Sequence, residues 1–135
     1  MREVYLFMLD TFRPGLRDAV AAIADAPDGG VLVNCHVGRD RTGLTVALLL
    51  ELAGVPRDAV AEDFARSGAR LKPYFDRLIR DAGSDEQRSA FARSADVPPE
   101  ALLAALRHID EQYGGAAGYL DDPALAGRIR ARLLD

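Results

Sequence analysis

The hydrophobic positions of this chain change period several times. Between Pro14 and Ala26, Leu16, Val20 and Ile23 recur at helical spacing, with proline in the first turn, where its missing N–H leaves no helix bond unmade. Pro27-Asp28-Gly29-Gly30 is a turn. Val31 to Asn34 is a continuous apolar run of the kind found in a buried sheet, and it is the one segment that predicts a strand. Thr42 to Ala53 is apolar almost all round, which predicts a central, buried helix. Gly54 stands where a C-terminal cap belongs, and Pro56 can open a further helix over roughly Arg57 to Arg66. Another helix is predicted over Pro73 to Asp81, while Ser84 to Ser94 is polar and ambiguous. Pro98-Pro99 starts a long helix with Leu102, Leu106, Ile109 and Tyr113 on one face, stopped by Gly114-Gly115. A last helix runs near Pro123 to Leu134, and Val4 to Leu9 is a short apolar segment of undetermined type.

This pattern predicts an α/β chain that is mostly helical, with no internal repeat and no linker that would split residues 1–135 into two domains. It also poses a difficulty. A single buried strand leaves two rows of backbone donors and acceptors unpaired. Strand partners would have to come from Val4 to Leu9, from a second copy of the chain, or from a region upstream of Met1. The chain is therefore expected either to self-associate or to be marginally stable alone.

Composition narrows the function. The 135 residues hold 17 basic and 21 acidic side chains with signs interleaved, for a net charge of -4. Such a surface carries no nucleic-acid footprint and no polybasic membrane patch. The most apolar stretch, Leu44 to Leu52 with Thr45 and Glu51 inside it, is too short to span a bilayer. No small-residue cleavage site follows Met1-Arg2-Glu3, so a secretory signal is not expected. The one cysteine cannot form an internal disulfide, and a free thiol suits a reducing cytosol. Lys72 is the only lysine, which with the many alanines suggests a GC-rich bacterial genome.

The chemistry concentrates between the predicted strand and the predicted buried helix. Cys35-His36-Val37-Gly38-Arg39-Asp40-Arg41-Thr42-Gly43 sets a thiol and a guanidinium six positions apart. A loop that opens a helix points backbone N–H groups inward, where the helix dipole favours an anion. The amides and a nearby cation can lower a thiol pKa by several units. Cys35 is thus the expected nucleophile, and Arg41 the fork for two phosphoryl oxygens. Gly38 and Gly43 are expected to allow the backbone turns of a wrapped loop. Thr42 is expected to hydrogen-bond the Cys35 thiolate or to help release the phosphoenzyme. Asp40 is the expected acid for the leaving oxygen. His36, Val37, Gly38, Arg39, Asp40 and Arg41 are expected to bind the phosphate, with Arg39 a second positive group at the mouth. His36 is a candidate base but is expected to line the entrance or contact substrate, His108 is expected in a structural or solvent-facing position, and Asp10 and Asp63 are candidate second acids expected in solvated surface positions. A Walker loop is excluded, since Gly-Lys-Ser/Thr is absent. A sulfurtransferase would also use a loop cysteine, but Arg-Thr-Gly leading into a helix favours phosphate.

These residues resemble the C-x5-R protein tyrosine phosphatases, and within them the bacterial tyrosine/lipid phosphatase family whose loop reads His-Cys-x-x-Gly-Lys-Asp-Arg-Thr-Gly. Cys35, Gly38, Asp40, Arg41, Thr42 and Gly43 match position by position. Arg39 stands where lysine is usual, and Asn34 where histidine precedes the cysteine. Leu48-Leu49-Leu50, Gly54-Val55-Pro56, Asp63-Phe64 and Ser67 look like the segment after the loop, and Pro99-Glu100 to Tyr113-Gly114 like the C-terminal helix. The Asp-Arg-Thr triplet is also similar to myotubularin-like and Sac-type phosphoinositide phosphatases. The resemblance implies a strand–phosphate loop–helix core and cysteine-dependent hydrolysis of phosphotyrosine or small phosphate esters without a metal or other cofactor. It further implies that this chain is the C-terminal part of the family fold. The opposing expectation, motivated by Asn34 and the short N-terminal region, is a phosphate-binding module with little or no turnover.

Overall fold

A computed structural model describes all 135 residues. It contains eight helices and no strand: α1 (Arg2–Thr11), α2 (Arg13–Ala24), α3 (Asp40–Leu52), α4 (Arg57–Arg80), α5 (Asp85–Ala95), α6 (Pro99–Tyr113), α7 (Ala116–Leu120) and α8 (Pro123–Leu134). No helix is long and apolar enough to cross a membrane.

The apolar character of α3 places it at the centre. Leu44, Ala47, Leu48, Leu49 and Leu52 are buried, and the helix packs against α2, α4, α7 and α8. The buried Thr45 hydroxyl donates back to Arg41 O at 2.9 Å and so stays hydrogen-bonded away from water. Around α3, one apolar core joins Val20 of α2, Phe64 of α4, Leu102 and Leu106 of α6 and Ile129 of α8. Burial of such side chains contributes about 1.5–3 kcal/mol each, which is what selects this arrangement.

Two elements depart from the sequence reading because packing overrides the local signal. Val4 to Leu9 belongs to a helix, whose inward residues Tyr5 and Leu9 are one turn apart and fully buried. The helices expected at 57–66 and 73–81 are one continuous helix, with Pro73 inside it. Proline removes a single N–H there, and both Pro73 and Ala69, the residue whose carbonyl loses its partner, are exposed, so water can replace the bond.

The predicted strand is absent. Residues 31–35 carry no ladder, and residues 27–38 make none of the chain's backbone–backbone hydrogen bonds. Its physical cause is the absence of a partner: the only candidate within the chain, Val4 to Leu9, is helical. Leu32 is 88% exposed, and only Val33 of the apolar run packs on the core. The preceding turn is held instead by the Arg132 guanidinium, which donates to the carbonyls of Ala26, Pro27 and Gly29 at 2.7, 2.9 and 3.2 Å.

Candidate active site

Bends at residues 36–39 carry the chain from Cys35 into the first turn of α3, which starts at Asp40, two residues before the expected Thr42. Gly38 takes a positive φ of 72°, a conformation that side chains with a Cβ rarely adopt, and this lets the loop fold back over the thiol. Gly43 is required for a different reason than the one expected. It lies within the helix, and a Cβ there would stand 2.7 Å from the Phe64 ring. The glycine admits an aromatic ring against the first turn of the helix rather than supplying a backbone turn.

The thiol of Cys35 is half-buried, which by itself opposes ionisation. The Thr42 hydroxyl and the amides of Thr42, Gly38 and Arg39 near the sulfur favour the thiolate, which outweighs burial and brings the pKa from an ordinary 9.0 down to about 7. The Thr42 hydroxyl is itself buried, and in the resting loop it meets no partner in good hydrogen-bond geometry. Its favourable action is therefore on the thiolate, the stronger acceptor, rather than on the neutral thiol.

The two arginines of the loop exchange the positions expected of them. Arg39 was expected at the mouth, but its side chain points inward and is 3% exposed. There it donates to Asp40 Oδ1 at 3.1 Å and Oδ2 at 3.3 Å, to Ser94 O at 2.7 Å and to Ala95 O at 3.5 Å. A buried guanidinium is stable only when so paired. What Arg39 offers the loop interior is its amide. Arg41, by contrast, is exposed and takes part in no ion pair, so its fork is free.

Asp40 also faces partly inward. Its Oδ1 accepts a 2.6 Å bond from the buried Tyr5 hydroxyl in addition to that from Arg39, while Oδ2 has only the Arg39 contact. Burial and the bond to Asp40 push the Tyr5 phenol well above its ordinary value, so it stays a donor. Tyr5 is the residue that sequence reading missed. Its only signal is helical spacing with Leu9, which the undetermined Val4 to Leu9 segment concealed.

Beside the thiol lies a cavity of about 330 Å³ walled by Met8, Phe12, Leu16, Val33 and Leu44, with Arg41 and Thr42 on its rim. A smaller one of about 140 Å³ lies across α3, and Asp63, Ser67 and Phe64 line it together with Gly38 and Thr42. Thr42 borders both. His36 is exposed and Val37 half-buried; Asn34 reaches only Cys35 O, at 3.4 Å. Asp10 does not join the site: its Oδ1 meets His108 Nε2 and the Tyr113 hydroxyl, both at 2.8 Å, and thereby fastens α1 to α6. No three His, Cys, Asp or Glu side chains converge as metal ligands would.

A cysteine of lowered pKa beside helix-N-terminal amides, Thr42 and an arginine free of ion pairs is an arrangement that can hold an oxyanion next to a nucleophile. Comparison with known proteins decides the lineage. The sequence model described as the tyrosine phosphatase family matches residues 1–135. The chain belongs to the tyrosine phosphatase family. It is 37% identical over 127 residues to a tyrosine-protein phosphatase of Nostoc commune, covering 87% of this chain and 42% of that protein. It is 36% identical over 120 residues to the triple specificity protein phosphatase PtpB of Mycobacterium tuberculosis, covering 77% of this chain and 44% of the relative. This family member thus spans less than half the length of the curated relatives it matches.

Proposed function

We propose that this chain is a cysteine-dependent phosphomonoesterase that hydrolyses phosphotyrosine, a phosphoinositide or another small phosphate ester through a phosphocysteine. The observation that carries the reading is Cys35, Arg41 and Thr42 lining one cavity where the loop enters α3, a setting in which Thr42 and the loop amides lower the thiol pKa. The Cys35 thiolate attacks phosphorus, the ester P–O bond breaks, and a phosphocysteine forms. Amides of the loop from His36 to Thr42 and the Arg41 fork hold the equatorial oxygens, where charge builds up in the transition state. Asp40 delivers the proton to the leaving oxygen from Oδ2, while Oδ1 stays anchored by Tyr5 and Arg39. Water then cleaves the S–P bond, releasing inorganic phosphate and regenerating the thiolate, with Thr42 stabilising it as the leaving group. All of these groups are supplied by the chain, so the scheme uses no metal or other cofactor. The same reading places the protein in a reducing cytoplasm, acting on a phosphorylated protein or small ester rather than on nucleic acid.

The experiment is hydrolysis of para-nitrophenyl phosphate by the purified chain and by Cys35→Ser. Turnover in the first and none in the second is the expected result; turnover that survives in Cys35→Ser overturns the mechanism. A second reading, a phosphate-binding module without turnover, is favoured by one observation, the Asp40 carboxylate occupied as an acceptor by Arg39 and Tyr5. Binding of vanadate without turnover in the unaltered chain would select it.

A further inference from the structure

We infer that the Arg39 side chain is a positioning residue for the nucleophile: it ties the loop that carries its own amide to the C-terminal carbonyls of α5 and to Asp40, and so holds that amide on Cys35. This deepens the phosphatase reading and rests on it for its catalytic meaning.

Four of the five N–H donors of Arg39 are engaged. Nε reaches Asp40 Oδ1 at 3.1 Å, Nη1 reaches Ala95 O at 3.5 Å, and Nη2 is shared between Ser94 O at 2.7 Å and Asp40 Oδ2 at 3.3 Å. The face of its guanidinium lies 5.2 Å from the centre of the Phe75 ring on α4. Ser94 and Ala95 are the last residues of α5, where helix carbonyls have no intrahelical donor and the dipole favours a cation. That end of α5 has little else to hold it, since α5 buries no side chain. One side chain therefore joins the start of α3, the C-terminal part of α4 and the end of α5.

The same residue bears on the thiol from its main-chain side: it stands four residues after Cys35, immediately before α3 with φ and ψ of -119° and -64°, and its amide is among the groups that lower the thiol pKa. The charged and titratable groups facing this side chain are Asp40 and, through Asp40, Tyr5. A lysine would keep the positive charge but offers three donors from one point and cannot span Asp40 and two carbonyls together.

Alkylation of Cys35, the only cysteine, by iodoacetamide across pH 5–10 tests the inference without requiring turnover. Arg39→Lys preserves the charge, so a change in this variant reports geometry. We expect its alkylation rate at pH 6 to fall about three- to tenfold, as the thiolate pKa rises by about half to one unit, with far-ultraviolet circular dichroism unchanged. Faster amide exchange at residues 90–95 should accompany it. Arg39→Gln should show the larger effect; if that variant does not fold, Arg39→Lys decides alone. A folded Arg39→Lys with the wild-type pH profile overturns the positioning role and leaves the assignment of Cys35 as nucleophile untouched. Conversely, a chain that never hydrolyses para-nitrophenyl phosphate but shows the shift supports the positioning role and removes the catalytic reading.

Discussion

The Tyr5 hydroxyl donates a 2.6 Å hydrogen bond to Asp40 Oδ1, joining the first helix of the chain to the first turn of α3. It leaves Asp40 Oδ2 with a single, longer contact. Asp40→Asn is therefore expected to slow esters with poor leaving groups far more than aryl esters with good ones, because a proton at Oδ2 matters only where the leaving oxygen needs it. Equal effects on both would assign Asp40 to loop architecture alone. Tyr5→Phe should lower unfolding stability by about 1–3 kcal/mol, the usual loss for a hydrogen bond to a charged acceptor, read as a shift in the denaturant midpoint.

The pH dependence of stability follows from Cys35. Its folded pKa of about 7 lies below the ordinary 9.0, so between these values the unfolded chain binds more protons than the folded one. The thiolate's contribution is fully present above pH 9 and is lost as pH falls through 7. Cys35→Ala should remove this slope, and Thr42→Val should shrink it by moving the alkylation profile to higher pH. An unmoved profile in Thr42→Val would mean that the amides alone set the thiol.

Arg41 is free at the rim, while Arg39 is committed to the interior. Arg41→Lys is predicted to reduce kcat/KM by at least about tenfold, since a point charge cannot replace a bidentate fork and 1.4 kcal/mol suffices for that factor. Its thermal midpoint should stay near wild type, because the side chain makes no structural contact. A catalytic loss smaller than twofold would remove Arg41 from the phosphate site.

Gly43→Ala sets two effects against each other. Alanine favours the helix by about 1 kcal/mol, but a methyl group 2.7 Å from the buried Phe64 ring forces an adjustment worth about 1–3 kcal/mol. The ring also stands edge-on to Tyr5, 6.1 Å between centroids, so its displacement reaches the Asp40 anchor. A lower melting temperature and a lower turnover are expected together. A more stable variant would show that Phe64 yields freely.

Val31 and Leu32 lie exposed beside a stretch of backbone without partners, and Phe7 and Phe12 are more than half exposed. We expect self-association through this apolar surface, seen by light scattering after size exclusion as a mass above that of one chain. Leu32→Lys should return the mass to a monomer without loss of helical signal. A monodisperse, highly stable monomer in the unaltered chain would show that the helices suffice.

What could be read from the chain depended on whether the signal was local. Apolar spacing located α2, α3, α6 and α8, and the C-x5-R segment marked the candidate site, because each signal is local. The strand failed since a strand needs a partner, and no apolar run can declare whether one exists. Ser84 to Ser94 did contain its helix: Ser84 Oγ accepts from Gln87 N at 3.1 Å and Gln87 Oε1 from Gly83 N at 3.0 Å, a capping arrangement visible as Ser-x-x-Gln. The roles of Arg39 and Tyr5 could not be read at all. Both depend on which carbonyls and carboxylates lie opposite, 35 residues away for Tyr5 and 55 for Arg39.

The unladdered stretch from 27 to 38 has a further consequence in time rather than space. Its amides, apart from those aimed at sulfur, are bound to no carbonyl of the fold, whereas those of α3 sit in the most enclosed helix. In deuterated water the former should exchange within seconds and the latter only when the whole domain opens. Cys35 lies near the end of the former, five residues before the latter begins. The chain before it can rearrange without disturbing the core, while Thr42, which borders the same cavity, is held in the first turn of a helix that cannot.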